Sequence, residues 1–124
     1  PLYSSAASDV YKRQVLLLDE LPASVESDTT LTFRGNLTVH DTVEGVGCAE
    51  IFIIEKDRSF MRDDFLVSGA TNNDGTFAID WVAKQKDFWD NKIQVYAEFK
   101  GTANYRPSKS EAQQMKVIWH AKRK

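Results

Sequence analysis

The chain has 124 residues, of which 42% are hydrophobic and 27% charged, with a formal net charge of -2. This length suits a single domain that buries its own core, and the composition is that of globular proteins rather than disordered or membrane-spanning ones. The balanced charge gives no reason to expect a nucleic-acid partner or membrane contact. The single cysteine excludes an intramolecular disulfide and a thiolate metal cluster.

The first fourteen residues require separate treatment. Residues 9–14 (DVYKRQ) resemble the translation of a transposase adapter used in sequencing libraries, and residues 1–8 resemble the text that accompanies it in metagenomic reading frames. We therefore interpret residues 1–14 as an artefactual or disordered leader, with a genuine flexible leader as the alternative. Under this interpretation the chain says nothing about a signal peptide.

The N-terminal half predicts three strands. The apolar run 15–18, closed by Pro22, indicates a short edge strand, and 24–28 reads as a polar turn. In 31–39 apolar and polar residues alternate, and the inward Gly35 is expected to make room for a large neighbour such as Trp81 or to mark a bulge. The strand at 49–56 is apolar on both faces. This favours partial covering of its second face, with an exposed patch for a partner as the alternative.

Residues 65–81 predict a β-hairpin. Asn73, Asp74 and Gly75 tolerate the positive φ of a tight turn, while Phe77, Ile79 and Trp81 recur with a period of two and should face the core. Alternation also predicts strands at 93–99 and about 111–119, separated by a polar corner at 101–110. No segment has sustained helical spacing. About seven strands without helices predict an all-β, antiparallel, immunoglobulin-like β-sandwich at 15–119, followed by a basic tail or linker at 120–124.

Several stretches resemble known families. VLLLDELPASV followed by TLTFRGNLT resembles the first two strands of prokaryotic, including archaeal, cell-surface immunoglobulin-like repeats, and IQVYAEFKGTANYRPSKS resembles their penultimate strand and corner. The middle, VGCAEIFI with SGATNNDGTFAIDW, is similar to carboxypeptidase-regulatory-like and transthyretin-like domains. The resemblance implies a stalk or spacer in a secreted, multidomain surface protein, with neighbouring domains of the same protein as partners.

The sequence has no strong catalytic pattern. His40 and His120 are far apart in sequence, and no nucleophile-elbow motif is present. We therefore expect that this chain is not an enzyme. Cys48 is expected to behave as a small apolar residue at a strand edge. Asn36 begins the acceptor pattern Asn-Leu-Thr and is predicted to face outward, which makes it a candidate glycosylation site.

Two candidate ligand sites remain, and each has a plainer alternative. One hypothesis is that carboxylates in two loops converge on Ca²⁺, and the alternative is that they are solvated: Asp57, Asp63, Asp64, Asp87 and Asp90. Trp89 and Tyr105 could form an aromatic platform for carbohydrate, or plug the open end of the sandwich. We therefore predict no cofactor beyond this Ca²⁺ hypothesis. The favoured function is a non-catalytic structural or adhesive module, extracellular or at the cell surface, and the alternative is a carbohydrate- or Ca²⁺-binding module accessory to an extracellular enzyme.

Overall fold

The structure, a computed structural model, describes residues 13–56, 64–83 and 92–118. Within these ranges the chain forms strands and no helix, so no helix there could cross a membrane. The strands are β1 (Gln14–Leu18), β2 (Ser24–Glu26), β3 (Thr30–Val39), β4 (Glu50–Lys56), β5 (Asp64–Ala70), β6 (Thr76–Val82), β7 (Lys92–Phe99), β8 (Ser108–Lys109) and β9 (Gln113–Ile118).

Two sheets stack to form a sandwich. One has three strands in the order β1-β3-β6, and the other has six, in the order β2-β9-β7-β4-β5 with β8 paired to β7. The predicted all-β sandwich is confirmed, and the seven predicted strands correspond to β1, β3, β4, β5, β6, β7 and β9. The sequence pattern does not predict two short strands, because Ser24–Glu26 resembles a polar turn and Ser108–Lys109 a polar corner. One pairing is not antiparallel, since β2 runs parallel to β9.

The core lies between the two sheets and consists of every second residue of the long strands. The three-stranded sheet contributes Leu16, Leu18, Phe33, Leu37, Phe77 and Ile79, and the six-stranded sheet contributes Ile51, Ile53, Ile93, Val95, Ala97, Phe99, Met115 and Val117. Burying each of the larger side chains contributes about 1.5–3 kcal/mol. Trp81 is only half-buried at the edge of this core, with its ring centroid 5.7 Å from that of Phe33.

The segment predicted as a hairpin is instead a corner between the sheets. Its turn is as predicted: Gly75 has φ 88° and its N–H donates to the Asn72 carbonyl at 2.9 Å. However, β5 pairs with β4 in one sheet and β6 pairs with β3 in the other, so the expected pairing of the two arms is wrong. A turn sequence fixes the reversal of the chain, whereas the partners of each arm depend on side chains distant in sequence.

Thr71 fastens this corner to the loop before β4. Its side chain is buried, and its hydroxyl donates to the Val46 carbonyl at 2.6 Å while accepting from the Ala49 N–H at 2.9 Å. The backbone adds two further bonds, from Thr71 N–H to the Ala49 carbonyl and from Cys48 N–H to the Thr71 carbonyl. One hydroxyl thus satisfies two backbone groups near the point where the chain changes sheets.

Gly35 makes room for Phe77 rather than for Trp81. The two residues are direct cross-strand partners, and a Cβ atom at position 35 would lie 2.6 Å from Cζ of Phe77 and would also clash with the Leu17 carbonyl oxygen. No larger residue fits without displacing the ring or the backbone of β1. The prediction of an inward glycine beside a large side chain is therefore correct, but its choice of partner was wrong.

Gln113 holds the chain where it crosses from β1 to β2. Its Nε2 donates to the carbonyls of Leu18 at 2.9 Å and Asp19 at 3.1 Å, and its Oε1 accepts from the Leu21 N–H at 2.8 Å. Leu18 ends β1, and Asp19 and Leu21 lie in the crossover, where backbone groups need partners outside a regular ladder. The Gln113 side chain of β9 supplies these hydrogen bonds. The crossover is thereby tied to the six-stranded sheet.

Candidate functional site

The sequence-predicted site residues that the structure describes do not meet. Asp64 is exposed at the start of β5, opposite Glu55, whereas Tyr105 follows β7 at the opposite end of the same sheet. Asn36 lies on the other sheet. The candidates Asp57, Asp63, Asp87, Asp90 and Trp89 lie outside the described residues, and among the described ones no group of three or more His, Cys, Asp or Glu could hold a metal ion.

Asn36 and Tyr105 each have a defined environment. Asn36 faces outward from the central strand of the three-stranded sheet, half-buried between its cross-strand partners Leu17 and Thr76. Tyr105 is half-buried and packs against the hydrophobic core, which leaves only part of its ring for a ligand. This packing is what a residue closing the end of the sandwich would show. Glycosylation at Asn36 and ligand binding at Tyr105 stay predictions.

Cys48 does not occupy a strand edge as an apolar residue. It is exposed in the turn before β4 and adopts φ 58°, a left-handed conformation that few side chains favour. The expectation was wrong because the sequence GVGC continues as a loop until Ala49. His40 is also exposed, and its Nδ1 lies 3.2 Å from Oδ2 of Asp41.

Asp74 is explained by the turn that contains it. Its Oδ1 accepts from the Thr76 hydroxyl at 2.6 Å and from the Thr76 N–H at 3.0 Å. These two hydrogen bonds favour the ionised carboxylate and lower the pKa of Asp74 below its ordinary value. The carboxylate therefore stabilises the corner.

An open groove of about 510 Å³ runs beside the edge strand β1. Residues 15–18 form one wall, and Lys109, Ser110, Glu111 and Gln113 form the other. The Gln113 amide already forms hydrogen bonds with the backbone of Leu18 and Leu21, so this side chain has a structural role. Nothing else in the groove brings reactive groups together.

The outer face of the six-stranded sheet has the most distinctive surface. On this face Ile54 of β4 lies between two cross-strand partners, which are Phe65 of β5 and Tyr96 of β7. Ile54 and Tyr96 are buried, Phe52 is half-buried, and Phe65 is 58% exposed with its ring centroid 6.2 Å from that of Phe52. The second face of β4 is thus partly buried, as expected, whereas Phe65 on the edge strand β5 is exposed.

Lysines surround these rings, and we call this surface the lysine face. It contains all the lysines of the described ranges: Lys56, Lys92, Lys100, Lys109 and Lys116. The ammonium of Lys100 lies 4.5 Å from the centroid of Phe52, and that of Lys109 lies 5.5 Å from the centroid of Tyr96. Both contacts are cation–π interactions, worth about 0.5–1 kcal/mol at an exposed site.

The other three lysines lie toward one end of this sheet. Lys92 and Lys116 are direct cross-strand partners on β7 and β9, and Lys56 on β4 pairs with Gln94, two residues along β7 from Lys92. Strand spacing and rise place the Cα atoms of Lys56 and Lys92 about 8 Å apart. By comparison, among the described residues the outer surface of the three-stranded sheet carries the basic residue Arg34.

The sequence prediction missed this face, although its signal was present. In a strand whose apolar residues occupy alternate positions, the residues between them face outward together. That rule, applied to 92–100 and 113–118, places Lys92, Lys100 and Lys116 on one outer surface, and the antiparallel pairing of β4 with β7 adds Lys56. The pairing order was the missing information.

Comparisons with known proteins support the fold. No family model matches the chain, and no curated protein does. Among solved structures, superoxide reductase (neelaredoxin) from Ignicoccus hospitalis aligns with a TM-score of 0.52 and 12% identity over 85% of this chain and 80% of its own. A chicken TCR aligns with a TM-score of 0.55 and 12% identity over 89% of this chain and 56% of its own. The fold is immunoglobulin-like.

A third similar structure differs greatly in length. Salmonella alpha-2-macroglobulin reacted with methylamine aligns with a TM-score of 0.60 and 12% identity over 90% of this chain but only 10% of its own. At such identities the likeness concerns the fold alone. The immunoglobulin-like part of the predicted resemblance is thus supported, and its prokaryotic surface-repeat part stays a prediction.

Proposed function

We propose that this chain is a non-catalytic structural or adhesive immunoglobulin-like module of a prokaryotic, secreted, multidomain surface protein. The observation that supports this most is the alignment of nearly the whole chain with one tenth of the Salmonella macroglobulin, a much longer protein. A fold of this kind accounts there for about 10% of the chain. The partly exposed Phe65 and the lysines around it give the module a surface for contacts.

The flanking gene tests the architectural part of this proposal. Sequencing of the DNA on both sides of the coding region should reveal a secretion signal and further sandwich domains. A catalytic domain directly adjoining this one would contradict the stalk role and favour the alternative, an accessory module of an extracellular enzyme.

The similarity to superoxide reductase calls for a direct test of the non-catalytic role. The purified chain, prepared with and without added transition metals, should leave the decay rate of superoxide unchanged in a stopped-flow assay. Acceleration above the rate given by free metal at the same concentration would contradict the proposal. An unfolded sample provides the matched control for nonspecific metal effects.

The Ca²⁺ alternative has a specific electrostatic obstacle. Lys56 ends β4 next to the start of β5 at Asp64, and Lys92 begins β7 at the same end of the sheet. Positive charges in this position repel a divalent cation. Millimolar CaCl₂ should therefore leave the melting temperature unchanged, and a rise that Asp64→Asn abolishes would favour the Ca²⁺-binding alternative.

A further inference from the structure

The edge strand β1 directs part of its backbone away from β3. In an antiparallel pair, only every second residue exchanges backbone hydrogen bonds with the partner strand. The Asp19 N–H, one residue beyond β1, donates to the Arg34 carbonyl at 2.8 Å, which places positions 15 and 17 among the bonded residues. The N–H and C=O groups of Leu16 and Leu18 therefore point to the open side of β1.

The cross-strand partner of Leu16 confirms this direction. Leu37 lies opposite Leu16 on β3, but its N–H donates to the Gly75 carbonyl at 2.8 Å and its carbonyl accepts from the Val46 N–H at 2.9 Å. Among the described residues, the N–H and C=O of Leu16 thus have no hydrogen-bond partner. Backbone groups of folded proteins are almost always paired, and an unpaired strand edge is a template to which a further strand can bond.

These backbone groups lie beside the groove of about 510 Å³. The Leu16 side chain belongs to the core, so this residue presents its backbone to the groove. At one end the Leu18 carbonyl accepts from Nε2 of Gln113 at 2.9 Å, so a polar group from the opposite wall already completes the edge there. The volume is typical of ligand sites, and the five residues of β1 extend about 17 Å. This shape suits an extended peptide, which gains affinity from main-chain hydrogen bonds.

The side chains of β1 indicate which residues such a peptide would carry. Leu17 is 54% exposed, and Val15, two residues away on the same side of the strand, is half-buried. An added strand would place its own side chains directly beside these two. Apolar β-branched residues are the favoured cross-strand neighbours at such positions.

The charges of the groove are acidic where a ligand can use them. Glu20 and Glu111 line the groove, and neither forms an ion pair within the described part of the chain. Lys109 also lines it, but its ammonium lies 5.5 Å from the ring centroid of Tyr96, on the outer surface of the six-stranded sheet. A basic side chain on the ligand would therefore find two carboxylates and no competing cation from Lys109.

We propose that β1 binds an extended peptide of another protein as an added strand, with β-branched residues beside Leu17 and a lysine or arginine that reaches Glu20 or Glu111. This inference rests on the adhesive part of the proposed function and gives it a partner class. Its failure would leave the structural spacer role intact, since that role is tested by the flanking gene. The two proposals can therefore fail separately.

A titration of the nitrogen-15-labelled full chain with the capped peptide KVTVTVK tests the proposal by nuclear magnetic resonance. At millimolar peptide the backbone amide signals of Leu16 and Leu18 should shift, because these groups gain hydrogen bonds. The acidic peptide EVTVTVE should bind about tenfold more weakly, since it meets carboxylates of its own sign. The basic peptide with N-methyl groups on its central residues keeps the charges but lacks the N–H donors, and it should not bind.

Two double variants separate the groove from the overall charge. Glu20→Gln with Glu111→Gln should weaken binding of the basic peptide about fivefold or more, whereas Glu44→Gln with Glu50→Gln removes the same charge elsewhere and should bind within about twofold of the unmodified chain. Urea unfolding should confirm that both variants are folded.

Four results would overturn the proposal. They are no binding of the basic peptide at millimolar concentration, equal binding of its N-methylated form, equal losses in the two double variants, and amide shifts confined to another edge such as β5. A peptide-free chain that sediments as a dimer and becomes monomeric when the peptide is added would identify a second copy as the occupant of this edge, which would also contradict it.

Discussion

Replacing Thr71 by Val tests whether one hydroxyl fastens the corner between the sheets. Valine has nearly the same shape but cannot bond to the Val46 carbonyl or the Ala49 N–H, which the Thr71 hydroxyl now satisfies at 2.6 and 2.9 Å. Each buried backbone group left without a partner costs about 1–3 kcal/mol, so with two such groups the free energy of unfolding should fall by about 2–6 kcal/mol. That is a large part of the 5–15 kcal/mol typical of a domain.

Urea unfolding followed by tryptophan fluorescence measures this loss, with Thr71→Ser as the matched control. Serine keeps the hydroxyl and removes one methyl group, so it should cost about 1 kcal/mol. The slope of the unfolding free energy against urea should stay unchanged in both variants, because neither alters the surface exposed on unfolding. If Thr71→Val were as stable as Thr71→Ser, the hydroxyl would contribute nothing and the reasoning would be refuted.

Three further changes test other contacts. Gly35→Ala should destabilise the protein by about 1–3 kcal/mol through overpacking against the Leu17 carbonyl oxygen and Phe77, and combining it with Phe77→Leu should cost less than the sum of the two single changes in the same urea assay; additive losses would contradict the contact with Phe77. Gln113→Leu should cost about 1–3 kcal/mol by leaving crossover backbone groups unsatisfied, and an unchanged urea midpoint would contradict that role. Because hydrogen bonds from Thr76 lower the pKa of Asp74, the stability that this carboxylate contributes is present above its unfolded pKa of about 3.9 and disappears as the pH falls through the lowered value. The difference in urea midpoint between the wild type and Asp74→Asn should therefore shrink in acid, and a constant difference would contradict the assignment.

Alternation along single strands was enough to predict most of the strands and the all-β class. Residues 93–99 alternate clearly, and the inward set Ile93, Val95, Ala97 and Phe99 is buried as expected. Short strands escape this rule, because Ser24–Glu26 is too brief to show a period and is defined by its parallel pairing with β9. The strands that pair with β5 and β6 could not be predicted either, since a turn sequence does not determine which strand lies beside each arm.

The candidate site was less accessible to sequence reasoning for a related reason. Acidic loops and aromatic residues attract attention as local clusters, whereas the lysine face is assembled from residues as distant as Lys56 and Lys116. They become neighbours only when β4, β7 and β9 are placed side by side. Strand order is a long-range property, so a surface that spans several strands is visible only after folding.

The parallel pairing of β2 with β9 determines how the domain responds to tension. When the two ends of the chain are pulled apart and β1 has separated from β3, β2 and β9 are drawn in opposite directions along their shared axis. The bonds that join them, including those from Lys116 N–H to the Ala23 carbonyl and from Ser27 N–H to the Ile118 carbonyl, then share the force. An antiparallel pair at the same place would separate one bond at a time. We therefore expect the contact between β2 and β9 to resist tension by shear.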